Sequence, residues 1–256
     1  MTNYPLLSIV TSNLNSGRQL QKTLDWLQKN KPASVEYIVR DGASSDSSCD
    51  LIQSYPSVVD KFISEPDLGI YDAWNKGVAL AEGSYICFLG AGDVFEIDSL
   101  STFLQYASSN PVADFISGRA LIVDYHNNPI RLVGRAWKWS SFRRHSYVAH
   151  PGSFHSRRLF LQHGLYDIGY KIAGDYEFLL RSRKLLRAKF LDTTIVRMLE
   201  GGVSQVGYKA MYEEFEAKIK NQTVLPFIAY CDLYKALAKH WIRNKLSKNF
   251  FKVELP

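Results

Sequence analysis

The sequence predicts an α/β fold: a mostly parallel sheet flanked by helices, with a helical extension at the carboxyl end. Through Asp93, short apolar runs of strand length alternate with segments of helical period. Strands and helices alternating in this way build a parallel sheet through βαβ crossovers. In the tail, apolar residues recur every three or four positions beside a separate basic stripe, which is the pattern of an amphipathic helix.

LLSIVTSN (Leu6 to Asn13) reads as the first strand. After Asn15-Ser16-Gly17 a helical stretch places Leu20, Leu24 and Leu27 on one face. VEYIVRDG (Val35 to Gly42) is the second strand, and Ser44-Ser45-Asp46 supplies a cap for the helix through Leu51 and Ile52. KFIS follows, then a helix from about Tyr71 to Ala81, and SYICFLG closes the series.

From Arg131 to Arg197 lysine and arginine outnumber the acids, and Trp137, Trp139, Phe142 and Tyr147 lie among them. A cationic, aromatic surface suited to an anionic or sugar-bearing partner is expected there. No repeat, low-complexity tract or linker interrupts the chain, so one domain is expected over residues 1–222, with residues 223–256 as a basic amphipathic extension. In that extension Tyr230, Leu233, Tyr234, Leu237 and Trp241 share helical spacing, and Lys235, Lys239 and Arg243 form the basic stripe. Such a helix either packs its apolar face on the domain or lies on an anionic membrane surface.

At 256 residues and 46% hydrophobic, the chain is long enough to bury a full core. Cys49, Cys87 and Cys231 are odd in number and lack a CxxC, which points away from a disulfide framework or a zinc site. The start, MTNYPLLSIV, has no charged segment leading into a long apolar one, and no stretch approaches the roughly 18 apolar residues of a spanning helix. A cytoplasmic protein is expected, peripheral on the inner face of the cell membrane if the tail binds lipid.

In an open parallel sheet, ligands bind beyond the carboxyl ends of the strands. Those ends are Thr11-Ser12-Asn13, Arg40-Asp41-Gly42, Ser64-Glu65-Pro66-Asp67 and Gly90-Ala91-Gly92-Asp93. Each brings polar or acidic groups to the same rim. Gly90-Ala91-Gly92 is not a dinucleotide fingerprint, because Phe95 stands where the third glycine belongs.

Taken in order, SIVTSNLNSG, EYIVRDGASSD and ISEPDLGIYDAWNKGVALAEGSYICFLGAGD resemble the nucleotide-binding half of the family 2 glycosyltransferases of GT-A fold. The likeness continues more weakly through HPGSFHSRRLF and IAGDYEFLL to EGGVS. It implies inverting transfer of a sugar from a nucleoside diphosphate donor, commonly with a divalent metal (Mn2+ or Mg2+), to a glycan or lipid-linked acceptor. The nucleotide half would be residues 1–95 and the acceptor half 96–222.

Carried onto this chain, the resemblance puts pyrimidine recognition at Asp41, beside Thr11 and Asn13. Asp67, Asn75 and Lys76 would lie near the diphosphate, at a helix whose amino end offers free N–H groups. Gly90 and Gly92 would let backbone approach the donor, and Asp93 would ligate the metal. Gly92 replaces the first of two acids usual in the family, which removes the ordinary ribose contact. The general base falls on Asp175, with Glu177 two residues on as the alternative. His150, Gly201, Gly202 and Ser204 fall on the acceptor side, the glycines suiting a lid. Each residue also has a plainer role available: an Asp-Gly turn at Asp41, a solvated helix face at Lys76, a strand-ending acid in a tight turn at Asp93, a helix cap at Asp175, core packing at His150.

The expected activity is therefore glycosyl transfer in cell-surface glycan or polysaccharide assembly. The alternatives are a nucleotide-sugar-binding protein without catalysis, motivated by Gly92, and a nucleic-acid-binding protein using the Arg-rich middle. For the last there is no recognised binding motif, and no nucleic-acid partner is expected.

Overall fold

Residues Leu7–Asn13 form β1, and six of its seven residues are buried because the strand lies in a sheet covered on both faces. The computed structural model describes residues 4–201 and 207–250. Gly202 and Ser204, expected on the acceptor side, lie outside the described residues. α1 (Gly17–Asn30) buries Leu20, Leu24 and Leu27, and β2 (Val35–Asp41) is buried along its whole length. α2 (Ser48–Gln53), β3 (Lys61–Ser64), α3 (Ile70–Leu80) and β4 (Tyr85–Phe88) complete the expected alternation. Asp46 does cap, and it does so twice: Oδ1 accepts the Ser48 N–H at 3.0 Å and Oδ2 the Gly17 N–H at 3.2 Å, so it ties the starts of α2 and α1 together.

The four strands pair in parallel in the order β3-β2-β1-β4, so their carboxyl ends share one edge. Alternate residues feed two cores. Leu7, Ile9, Tyr37 and Val39 pack with the leucines of α1, while Val10, Ile38, Ile86 and Phe88 pack with Tyr71 and Val78 of α3.

The chain continues through β5 (Val94–Phe95), α4 (Ile97–Ser109), β6 (Phe115–Val123), β7 (Pro129–Val133), α5 (Trp139–Phe142), β8 (Phe154–Ser156), α6 (Arg157–His163), α7 (Gly174–Arg181), β9 (Ala188–Leu199), α8 (Gly207–Lys220) and α9 (Pro226–Phe250). The sheet extends past β4 as β8-β6-β9-β5, with β7 on the side of β6. There the pairing is mixed: β8 runs antiparallel to both β4 and β6, while β6 and β9 are parallel.

The Arg-rich middle does not form the open cationic surface expected of it. Arg158 and Arg187 converge on Asp114, Arg144 pairs with Asp232, and Arg181 pairs with Glu177. Arg157 donates to the carbonyls of Ala81 and Gly83. Buried acids and carbonyls require donors, and a guanidinium supplies several in one plane. Trp137, Tyr147 and Tyr176 likewise pack around Phe142.

α9 lies against α8, which in turn lies against α7. Its apolar positions divide: Ala229 and Leu233 turn inward beside the buried Asp232, whereas Tyr230, Tyr234 and Trp241 are exposed. The single aromatic stripe anticipated from spacing is thus split between packing and solvent. No helix among the described residues is long and apolar enough to cross a membrane.

Candidate active site

Asp41 ends β2 at the rim and is 1% exposed. Its Oδ1 accepts from Asn13 Nδ2 at 2.7 Å and Ser44 Oγ at 2.6 Å, and its Oδ2 from the Ser44 N–H at 2.8 Å and Ser64 Oγ at 2.7 Å. Burial alone would raise its carboxyl, but these donors overcome that and hold it below the ordinary range. The residue therefore knots the ends of β1, β2 and β3 together. Asn13 keeps a buried side-chain oxygen with no partner among the described residues. Asp67 closes the same corner, since a Cβ on Gly42 would come within 2.6 Å of its Oδ2.

Three expected donor contacts are turned elsewhere. Thr11 is 0% exposed, sealed within the sheet behind the rim. Asn75 brackets the backbone of Tyr166, donating to its carbonyl at 2.8 Å and accepting its N–H at 2.9 Å. Lys76 donates to the Pro66 carbonyl at 2.9 Å and pairs with Asp72 at 3.1 Å, the solvated-helix arrangement. Nothing in the local sequence distinguishes Asn75 from a ligand contact; what settles its direction is the backbone of Tyr166, ninety-one residues along the chain.

Asp93 also points inward. It is 5% exposed, its Oδ1 accepts the Leu199 N–H at 3.0 Å, and its Oδ2 accepts the Gly90 N–H at 3.1 Å. Burial pushes its carboxyl up to about 7, with the two N–H groups and the charge of Lys22 opposing. Gly92 has φ +95° and donates its N–H to Thr23 Oγ1 at 2.9 Å, a turn that favours glycine. Gly90 is required by contact, as a Cβ there would meet Asp93 Oδ2 at 2.7 Å. A latch between turn and β9 does not fit the role of metal ligand, which needs a carboxylate free to face solvent and phosphate. Among the described residues no cluster of three or more His, Cys, Asp or Glu side chains could hold a metal.

Asp175 is placed differently. It sits in the first turn of α7, half-buried, with the Tyr71 hydroxyl 3.4 Å from its Oδ1 and the Tyr176 N–H donating to that oxygen at 2.8 Å. Burial pushes its carboxyl up to about 6, against the two donors and with the nearby charge of Glu213 adding to the rise. A carboxyl with this value is ionised at neutral pH yet basic enough to take a proton. Gly174 lets Tyr71 approach, since a Cβ would lie 2.7 Å from the ring. Glu177, by contrast, is 1% exposed and consumed by Arg181 and by Asn221 Nδ2 at 3.0 Å.

Sequence patterns missed what holds Asp175. Glu213 of α8 accepts the backbone N–H groups of Lys171 at 3.1 Å, Ile172 at 2.7 Å and Ala173 at 2.8 Å, clamping the segment that leads into α7. Lys171 Nζ crosses to the Leu68 carbonyl at 2.6 Å, so the same segment is tied to the turn before α3. His150 is buried, 3.2 Å from the Tyr166 hydroxyl and stacked on Trp74, and burial pushes it down to about 3. It is a neutral core residue. Gly201 is exposed with φ +101°, and a Cβ there would meet nothing within 4 Å among the described residues.

Residues 8–166 match the family model described as "Glycosyl transferase family 2". A "PGL/p-HBAD biosynthesis glycosyltransferase" of Mycobacterium tuberculosis is 28% identical over 207 residues, covering 78% of this chain and 79% of the relative. Among solved structures, S. aureus TarS in complex with UDP-GlcNAc superposes with a TM-score of 0.67 at 16% identity, covering 97% of this chain and 76% of that one. The mannosyltransferase PcManGT of Pyrobaculum calidifontis, in complex with GDP-Man and Mn2+, gives 0.65 at 15% identity, covering 93% and 75%. At these identities the structural likeness establishes the GT-A fold.

Proposed function

The chain belongs to glycosyl transferase family 2, and from that premise we propose that it transfers a sugar from a nucleoside diphosphate donor to an acceptor hydroxyl in cell-surface glycan assembly, with inversion. The carrying observation is the contact between Asp175 and Tyr71: it places a carboxyl of pKa about 6 against the first turn of the helix that begins at the strand-end rim. The acceptor O–H gives its proton to Asp175. The acceptor oxygen bonds to the anomeric carbon, and the bond from that carbon to the diphosphate breaks, releasing the nucleoside diphosphate.

The donor would lie along the rim formed by Asn13, Asp41 and Asp67, with the amino end of α3 and Lys171 toward the diphosphate. Support for a nucleotide sugar comes from TarS with UDP-GlcNAc and PcManGT with GDP-Man. These two carry different bases, so a pyrimidine rests only on the family resemblance at the position of Asp41. Asp93, tied to the N–H groups of Gly90 and Leu199, is not turned toward a cation at the diphosphate. The Mn2+ in PcManGT makes its contribution worth measuring. The exposed tyrosines and lysines of α9 support peripheral binding to an anionic membrane from the cytoplasmic side.

The test is nucleotide release from a panel of UDP- and GDP-sugars, with and without Mn2+, comparing the natural protein with Asp175→Asn. Release that depends on Asp175 upholds the proposal. Equal release by both proteins sinks the base assignment.

A further inference from the structure

Three basic side chains gather at the amino end of α3, and one of them has no acid. Arg40 is 3% exposed and pairs with Glu65 at 2.7 Å. Lys76 pairs with Asp72 at 3.1 Å and with Glu65 at 3.4 Å. Lys171 reaches the same turn from the segment before α7, and its ammonium rests on neutral carbonyls, those of Leu68 at 2.6 Å and Ile168 at 3.3 Å. It forms no ion pair among the described residues. An ammonium has three hydrogens, and the two carbonyls occupy two of them. The third, together with an uncompensated charge, is left on a half-buried side chain.

The ammonium stands directly over the helix cap. Gly69 has φ +124°, and the point where a Cβ would sit on it is 3.4 Å from Lys171 Nζ and 3.7 Å from Cδ. The N–H groups of Leu68 and Gly69 are taken by Asp72 and Asp67, at 3.0 and 2.9 Å. Those of Ile70 and Tyr71 have no acceptor among the described residues. A fixed cation thus lies beside two free donors, in the turn that follows the rim residues Glu65 to Asp67.

Lys171 also shares a segment with the base. Asp175 follows four residues on, and four residues span at most about 14 Å, a separation that a sugar and its diphosphate can bridge. Between the two, the Tyr71 hydroxyl donates to the Ile172 carbonyl at 2.7 Å. The ammonium has its own anchor at Leu68 and Ile168, so those carbonyls position the cation while the Glu213 clamp on the backbone positions the base.

We propose that Lys171 is a catalytic residue of the transfer: its ammonium holds the donor diphosphate at the start of α3 and meets the charge of the leaving group, opposite the proton that Asp175 takes. This rests on the transferase proposal and supplies the leaving-group end of the reaction with a cation from the chain itself. When the bond from the anomeric carbon breaks, both its electrons pass to the diphosphate oxygen, which gains one unit of negative charge. Lys171 donates a hydrogen bond to that diphosphate and keeps its proton. A contact that strengthens as charge develops lowers the barrier as well as aiding binding.

The test titrates the full chain, with Mn2+ present, with UDP and GDP and with the nucleosides uridine and guanosine. Lys171→Gln removes the charge and keeps a donor for the Leu68 carbonyl. It is expected to weaken the nucleoside diphosphate that the natural protein binds by about 10- to 100-fold, the range of a hydrogen bond to a charged group, and to leave the matching nucleoside unchanged. Lys171→Arg should restore most of that affinity, and in the Gln variant kcat should fall by a larger factor than the donor KM rises. Unchanged diphosphate affinity overturns the proposal. So does a loss shared equally by nucleoside and diphosphate, or an Arg variant no better than the Gln variant, since either reduces Lys171 to a tie between two turns. Failure of the transferase proposal shows differently, as binding of neither nucleoside diphosphate by the natural protein.

Discussion

The Tyr71 hydroxyl donates to the Ile172 carbonyl at 2.7 Å and lies 3.4 Å from Asp175 Oδ1, so the start of α3 and the candidate base are held as one unit. Asp175 takes a proton only when ionised, and its pKa of about 6 sets where that ends. Asp175→Asn is expected to keep nucleotide binding and to lose transfer by about 10²- to 10⁴-fold, the usual effect of removing a general base. In the natural protein the rate should fall about tenfold per pH unit below about 6. Steady-state rates from pH 5 to 8 check both, and a flat acid limb would sink the assignment.

The same raised value predicts a stability effect of opposite sense. In the native protein Asp175 titrates at about 6, above its ordinary 3.8, so between those values the native state holds more proton than the unfolded one. Its contribution is neutral below the unfolded value, turns unfavourable as pH rises, and is fully unfavourable above about 6. Asp175→Asn escapes this cost while its amide oxygen still accepts from Tyr176. It should be more stable by about 1–3 kcal/mol at pH 8 and no more stable at pH 4. Urea unfolding at the two pH values decides the point.

The rim was legible because short-range patterns fix it, whereas Asp175 was singled out only through the family resemblance. Apolar runs that end in Asn13, Asp41 and Asp67 specify parallel strands and their carboxyl ends within a few residues of sequence. The clamp was not legible. Glu213 stands forty residues beyond Ala173, and nothing in its local sequence marks it as buried. The second half of the sheet was equally silent: β8 has three residues, and β9 has only two fully buried positions among twelve, so neither shows the continuous apolar run of β1 or β2. Asn75 and Asp93 were found but misdirected. Composition names a polar group, whereas distant backbone at Tyr166 and Leu199 decides which way it turns.

Glu213 acts through the backbone of Lys171, Ile172 and Ala173, so its loss should displace Asp175 without touching the donor. A shift of about 1 Å in a reacting group can cost about 100-fold in rate. Glu213→Gln is expected to lower kcat by roughly 10- to 100-fold, leave nucleotide affinity unchanged, and move the acid limb to lower pH, because the Glu213 charge helps raise Asp175. Glu213→Asp should restore part of the rate. A variant that merely loses stability, with an unmoved pH profile, would deny it the positioning role.

Asp93→Ala removes the buried carboxylate that accepts the N–H groups of the exposed Gly90 and the half-buried Leu199. Each lost hydrogen bond costs about 0.5–1.5 kcal/mol, so a lowered unfolding midpoint is expected with no metal added. Calorimetric titration with UDP and Mn2+ then separates the roles. If Mn2+ strengthens UDP binding in the natural protein and does so equally in a folded Asp93→Ala variant, the carboxylate is a latch and the cation is held elsewhere; loss of the Mn2+ effect would restore the ligand role to Asp93.

α9 has two faces, and each predicts a different outcome. Asp232 is 2% exposed and paired with Arg144, and Ala229 and Leu233 are buried beside it, so cutting the chain near Gln222 should destabilise the protein by leaving Arg144 and Lys218 without their acid. The outer face is separable from this, since Tyr234, Lys235, Lys239 and Trp241 are exposed. Each lysine near an anionic surface contributes about 1 kcal/mol of attraction, and an aromatic ring can settle at the headgroup level. Lys235→Gln, Lys239→Gln and Trp241→Ala together should leave the unfolding midpoint unchanged and reduce co-sedimentation with phosphatidylglycerol vesicles by about tenfold or more. Raising the salt concentration should mimic the two lysine changes but not the loss of the ring. Co-sedimentation that ignores both salt and the substitutions would show that this face does not meet the membrane.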